Sequence, residues 1–230
     1  MRFALRQAAI AAVLLVAGCA ELLRVEAPVA PPPEFPEGDY QQAAKQGKPV
    51  YRIDSRESIV VIEVRRGGSL ARLGHDHVVA SHDVTGYIAP GEGSADLYVA
   101  LAKLVVDEAD LRKEAGFDTQ PSDSDIEGTR SNMHAHVLDT EKHPFALIAV
   151  KGADAKAAKQ TLDVAITLHG QTRSFQVPAE IEVDDRTISV TGKLAFNQSD
   201  FGITPYALLG GAIAVKDGLV LRFRIRAKRM

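Results

Sequence analysis

From Leu162 to the C-terminus, apolar and polar residues alternate with a period of two. Leu162, Val164, Ile166 and Leu168 are separated by Asp163, Ala165 and Thr167, which makes a strand with one dry face. His169-Gly170-Gln171-Thr172 reads as a tight turn. Phe175, Val177, Ala179, Ile181 and Val183 then alternate with Gln176, Pro178, Glu180 and Glu182. Because Pro178 has no N–H to give to a ladder, its strand is expected to be an edge there or to carry a bulge. Asp184-Asp185-Arg186 turns the chain, and two further alternating runs follow, from Ile188 to Phe196 and from Leu219 to Ile225.

The same period, less strict, marks strands at residues 51–53, 58–65, 77–88, 95–106 and 145–151. About nine short strands with turn residues between them argue for a sandwich or barrel rather than alternating β and α units. Two stretches break the pattern. Residues 107–116 have early acidic residues and a late glycine, which suits a short helix. Residues 124–138 open on Ser124 with Glu127 three positions later, a capping-box spacing that predicts a second helix carrying Ile126, Arg130, Met133 and Val137 on one face. A helix so placed closes one end of a barrel. Eight or so strands leave an interior that side chains fill or that holds one small ligand. Ala179, Gly192, Ala165, Gly86 and Ala80 are small inward candidates, and the chain has eight phenylalanines and no tryptophan. Composition leaves a packed and an open interior as equal alternatives.

The first fifty residues are of another kind. Arg2 and Arg6 precede a run from Ala8 to Val16 that is too short to span a bilayer, and Ala17-Gly18-Cys19 follows. Residues 1–19 are expected to be a secretory signal ending at Cys19, the lone cysteine and the expected site of lipid attachment, by analogy with the bacterial lipobox. Two or three acyl chains, each buried methylene contributing about 0.8 kcal/mol, would hold the protein on a membrane surface. The expected location is the bacterial cell envelope, on the periplasmic side, lipid-anchored to a membrane. Residues 20–50, with Pro28, Pro31, Pro32, Pro33 and Pro36, read as a disordered tether in which Gln41 to Gly47 forms one loose helical turn with no apolar face. Residues 51–230 are then one folded domain.

A net charge of −3 gives no long-range attraction to nucleic acid, and aromatics at 6 % offer few stacking platforms. An enzyme is not expected, since no serine, cysteine or paired-carboxylate motif has a recognisable spacing; were there chemistry, His75 and His77 would be its seat. These two histidines share a face in a strand, and His82 has the opposite parity. With Asp76 and Asp83 nearby, His75 and His77 are a candidate zinc or copper site, against which stands a plain polar rim. Arg222, Arg224 and Arg226 share one face of the last strand, either a solvated exterior or a patch toward anionic lipid.

Four segments in order carry a resemblance: Tyr51-Arg52-Ile53-Asp54-Ser55; Asp139-Thr140-Glu141-Lys142-His143-Pro144-Phe145; Leu168-His169-Gly170-Gln171-Thr172-Arg173; and Asn197-Gln198-Ser199-Asp200-Phe201-Gly202-Ile203. Together they resemble the YceI-like family of secreted or periplasmic polyisoprenoid or lipid binders. The resemblance implies an all-β, lipocalin-like antiparallel barrel with one or two short helices inserted, YceI-like throughout residues 51–230. It implies no catalytic set and no required cofactor, and a bound isoprenoid or quinone-like molecule lying down the barrel. The ligand contacts expected in this chain are His75, His77, His82, Met133, Phe145, Arg173, Phe175, Asp200 and Phe201. For Arg173 a surface role stands beside the ligand role, and for Asp200 a turn-stabilising one. Pairing of two copies into a homodimer through an edge strand stays open.

Overall fold

The structure, a computed structural model, describes residues 30–230; the expected signal and Cys19 lie outside the described residues. The strands are β1 (Tyr51–Ile53), β2 (Ile59–Gly67), β3 (His77–Ser81), β4 (Val84–Ala89), β5 (Ser94–Ala100), β6 (Val105–Val106), β7 (Phe145–Lys151), β8 (Lys159–Leu168), β9 (Gln171–Val183), β10 (Thr187–Asn197), β11 (Ala207–Leu208) and β12 (Ile213–Arg229). The helices are α1 (Glu37–Lys45), α2 (Ala109–Glu114) and α3 (Asp123–Asn132).

Every pairing is antiparallel, and β1, β4, β5, β7, β8, β9, β10 and β12 follow one another around a ring that closes through Tyr51↔Arg229. β2, β3 and β6 continue the first three wall positions past short breaks, so β12 pairs with β2 along its first half and with β1 at its end. The result is an eight-position up-and-down barrel, as the resemblance implied.

Alternation is weak in the first half of the chain for a physical reason. α2 covers the outer face of β2 and β3, so Val61, Val78 and Ala80 are buried outside while Val79 is buried, and Val60 and Ile62 partly buried, inside. α1 does the same for β4 and β5. Its Tyr40 stacks on Tyr87 at 5.3 Å and donates to Asp96 at 2.7 Å, and Tyr87 donates to Glu37 at 2.7 Å. The tether expected through residue 50 is thus corrected over α1. One tyrosine with Ala43 and Ala44 suffices as an apolar face because Val50, Tyr87 and Ala89 supply the other half.

The hairpin turn between β8 and β9 is His169-Gly170, both in the left-handed region (φ 51° and 72°), the conformation that a two-residue turn matching strand twist requires. The cap of α3 lies two residues before the expected one. Ser122, not Ser124, accepts from Asp125 N, and the Asp125 carboxylate accepts from Ser122 N, so the box closes around an aspartate. The helix runs on into a π turn (Met133–Val137), and Ile126, Met133, Val137 and Leu138 pack against the core at one end of the barrel. Arg130 leaves that face and pairs with Glu127.

Pro178 acts as expected. The β9–β10 ladder runs from Val183↔Ile188 to Ala179↔Gly192 and stops there, whereas β8 stays paired with β9 along its whole length. In the parting beyond, fully buried Phe201 packs between Phe175 (6.1 Å) and Phe196 (5.6 Å). Gly192 is required at the fork, because a Cβ there would come within 2.6 Å of Phe223 Cζ and 2.8 Å of Pro178 O. Gly192→Ala is expected to destabilise by about 1–3 kcal/mol in thermal or urea unfolding. Gly218→Ala on β12, whose new methyl would meet nothing nearer than 3.6 Å, is expected to be close to neutral.

Candidate ligand-binding cavity

Inward positions on the barrel strands are mostly Val, Ile and Leu, and they do not meet across the axis. They surround a cavity of about 230 Å³. At roughly 10–15 Å³ for each water-sized group, this admits on the order of fifteen such groups or more. The wall is built from Val60 and Ile62 (β2), Leu97 and Val99 (β5), Ile148 and Val150 (β7), Val164 and Ile166 (β8), Val177 and Ile181 (β9), Val190 and Leu194 (β10), and Leu221 and Phe223 (β12). Pro90, Gly93 and Ala153 bound it at one end, Leu138 and Leu168 at the other. Along β8 the lining from Leu162 to Leu168 rises roughly 20 Å. Only Ser81 and Ser94 bring a polar side chain to this wall, and no charged residue lines it. Of the small residues expected inside, Ala179 is in the inner core and Gly192 and Gly86 keep inward parity. Ala165 and Ala80 instead face out, Ala80 beneath α2.

None of the residues expected to touch a ligand lines this cavity. Phe145 sits on the outer face of β7, opposite Ala146 and Ile148, with its ring edge-on to Tyr98 at 5.8 Å. Met133 and Phe201 are buried in the core, and Phe175 packs in the parting between β9 and β10. Arg173 is exposed and donates to the Thr172 carbonyl. Asp200 accepts from Asn197 N at 2.9 Å, closing a turn. The strand positions that do line the cavity carry a signal in sequence, the apolar parity of β8, β10 and β12, but no single residue among them is chemically conspicuous.

The three histidines diverge. His75 and His77 share a face, their ring centroids 6.3 Å apart, yet each is matched to its own carboxylate: His75 Nε2 lies 3.9 Å from Asp125 and His77 Nδ1 2.6 Å from Asp107. His82 pairs with Glu108 at 2.8 Å. Among the described residues no three His, Cys, Asp or Glu side chains converge as a metal would need, so the candidate zinc or copper site has no such ligand set there. Arg222 and Arg226 pair with Glu114 and Glu57 on the barrel exterior.

His77 belongs to a structural knot. Asp107, with its side chain wholly buried and its backbone left-handed (φ 60°), accepts from Val78 N at 3.0 Å, Arg112 Nη1 at 2.5 Å and His77 Nδ1. Arg112 also donates to Thr119 O at 2.6 Å, tying β3, α2 and the loop before α3 together. Burial raises the Asp107 carboxyl, but His77, Val78 N–H and Arg112 together hold it below the usual carboxylate range. Since the native carboxyl keeps its charge to lower pH than the unfolded one, it adds stability above the unfolded value, about pH 4. That contribution vanishes as pH falls through the native value. Asp107→Asn leaves Arg112 buried without its counter-charge and is expected to cost about 3–5 kcal/mol at pH 7. The gap to the parent should shrink below about pH 4 when urea midpoints are compared across pH.

A family model described as the YceI-like domain matches residues 51–227. A polyisoprenoid binding domain from Saccharophagus degradans, implicated in plant cell wall breakdown, superposes with a TM-score of 0.58 at 13 % identity, covering 78 % of this chain and 98 % of that one. BcnA of Burkholderia cenocepacia superposes with a TM-score of 0.54 at 16 % identity, covering 76 % of this chain and 98 % of that one. At such identities the likeness is one of fold. No curated protein matches the chain.

Proposed function

The chain belongs to the YceI-like family, and on that premise we propose that it binds one long apolar lipid of polyisoprenoid kind along the barrel axis, without transforming it. The observation that carries this reading is the cavity wall, apolar but for two serines and free of charged residues. A tail entering such a space exchanges water for apolar neighbours at roughly 25 cal/mol for each Å² buried. A polar headgroup would find no partner there apart from two serine hydroxyls, so it belongs at an end of the barrel. Discrimination then rests on the length and branching of the tail. The lining offers no acid, base or activated nucleophile, which supports carriage rather than turnover. A quinone is one polyisoprenoid that such a space would accept.

Organic extraction or native mass spectrometry of protein made in a bacterial host is expected to release an isoprenoid lipid. Ile148→Trp combined with Val190→Trp, which fills the cavity from two walls, is expected to abolish the co-purified lipid while circular dichroism stays that of a β-barrel. A parent protein without lipid, or a blocked variant that keeps it, would overturn the reading.

A membrane-tethered, periplasmic location is supported by the signal-like run and the small residues before Cys19. Mass analysis of the mature N-terminal peptide is expected to find an acylated cysteine, and Cys19→Ser to move the protein from the membrane to the soluble fraction.

A further inference from the structure

Among the described residues, three of the six large apolar side chains most open to water are gathered at one place, the other three (Met230, Val183 and Val105) lying apart. Leu209 is 74 % exposed, Leu73 59 % and Leu208 48 %. Leu73 sits in the 3-10 turn Ala71–Leu73 that follows β2, and Leu208 and Leu209 in the connection from β11 to β12. The two turns lean on each other: Leu70 N donates to Ala212 O at 2.7 Å, and Gly68 approaches Gly211 O and Ala212 O too closely for any side chain. Both extend past the last β2–β12 ladder pair, Gly67↔Ala214, beyond a bulge between Val215 and Leu219. The linker after the first turn reaches the helical cap, where His75 meets Asp125 of α3.

Single exposed leucines are ordinary, but three on adjoining turns are not. Leu209 is held in the left-handed region (φ 52°), followed by Gly210 (φ 66°) and Gly211 (φ 91°). A bulky residue is strained in that conformation, so the chain sustains both backbone strain and apolar exposure here. Arg66 is matched by Asp118 and Arg65 by Glu63 and Asp76, whereas Arg72 and Lys216 have no ionic partner among the described residues; Asp217 accepts from Ser199 and keeps its charge, so two unmatched cations stand against one unmatched carboxylate.

We propose that this tip docks on a phospholipid bilayer bearing anionic headgroups, with Leu73, Leu208 and Leu209 entering the boundary between headgroups and acyl chains while Arg72 and Lys216 lie against the phosphates. A folded partner fits less well, because three leucines fall far short of the about 800 Å² per side that a stable protein interface buries. A bilayer accepts a small apolar tip whose flanks are cationic. Docking would bring the helical cap of the barrel to the membrane, where a carried lipid is taken up or released; that last step rests on the reading of the cavity above, and the docking does not.

The chain has no tryptophan, so Leu209→Trp installs a lone reporter at the tip, and Asp185→Trp a control in the β9–β10 turn at the far end of β12. In the full chain, vesicles one quarter phosphatidylglycerol are expected to shift the emission of the L209W variant to the blue and to allow its quenching by brominated acyl chains, with the emission of the D185W variant unmoved. In a Cys19→Ser background, which removes acylation, Arg72→Gln and Lys216→Gln are each expected to weaken vesicle affinity about fivefold. Unchanged emission from the tip reporter would overturn the proposal. So would a blue shift that grows with protein concentration in the absence of vesicles, since a second copy would then cover the tip. Lipid extracted from the same preparations separates the two readings: co-purified isoprenoid with an inert tip reporter sinks the docking alone, and insertion of that reporter by a barrel without lipid sinks carriage alone.

Discussion

The structure depends on β12 finding a hydrogen-bonding partner along both of its edges. One edge is taken by β10 from Thr187 to Asn197, the other first by β2 and then by β1. An unpaired backbone of that length would be a template for another chain, and closure removes it. The same closure fixes parity around the ring, since a slip of one residue at any seam would turn an aliphatic face outward. A closed ring of eight positions then sets the bore, and the side chains pointing inward decide whether the bore is filled.

They do not fill it. Branched aliphatic residues of medium size, with Phe196 and Phe223, meet their neighbours along the wall but leave the axis open, and most of the remaining aromatic residues are used elsewhere. Phe145 and the tyrosines of β4 and β5 face outward, Tyr87 beneath α1 and Tyr98 between Phe35 and Phe145, and Phe175 and Phe201 are spent where β9 and β10 part. Polar chemistry follows the same division. The buried Asp107 knot lies among β3, α2 and the loop before α3, where it fastens the helical insertion to the barrel, so the interior stays free of charge. A cavity of this kind selects by shape and by the absence of water.

The fold was legible because strand parity and turn chemistry are local. The runs from Leu162, Phe175 and Ile188 lie within the observed strands, His169-Gly170 is the turn between two of them, and Pro178 marked where a ladder ends. What depends on a distant partner was not legible. α1 looked unable to dock because half of its apolar contact belongs to Tyr87 and Ala89, some fifty residues away. The cap of α3 fell on Ser122 because its aspartate three positions on competes with the Ser124–Glu127 pair at the same spacing. The expected contact residues lie outside the cavity lining for a different reason. The recognisable segments hold the barrel together: Asp200 closes a turn, Phe201 fills a gap, His77 binds Asp107. The positions around the cavity are interchangeable aliphatics that no motif records.

The parting of β9 from β10 gives the wall an uneven compliance. Spreading the barrel between β7 and β8, or between β8 and β9, would break main-chain hydrogen bonds one after another. Spreading it below Pro178 breaks no ladder pair, because the ladder ends above it; ring contacts among Phe175, Phe196 and Phe201 would be given up instead. The diameter can therefore adjust along one line while the remainder of the cylinder keeps its shape, and a proline, by what it lacks, has decided which line that is.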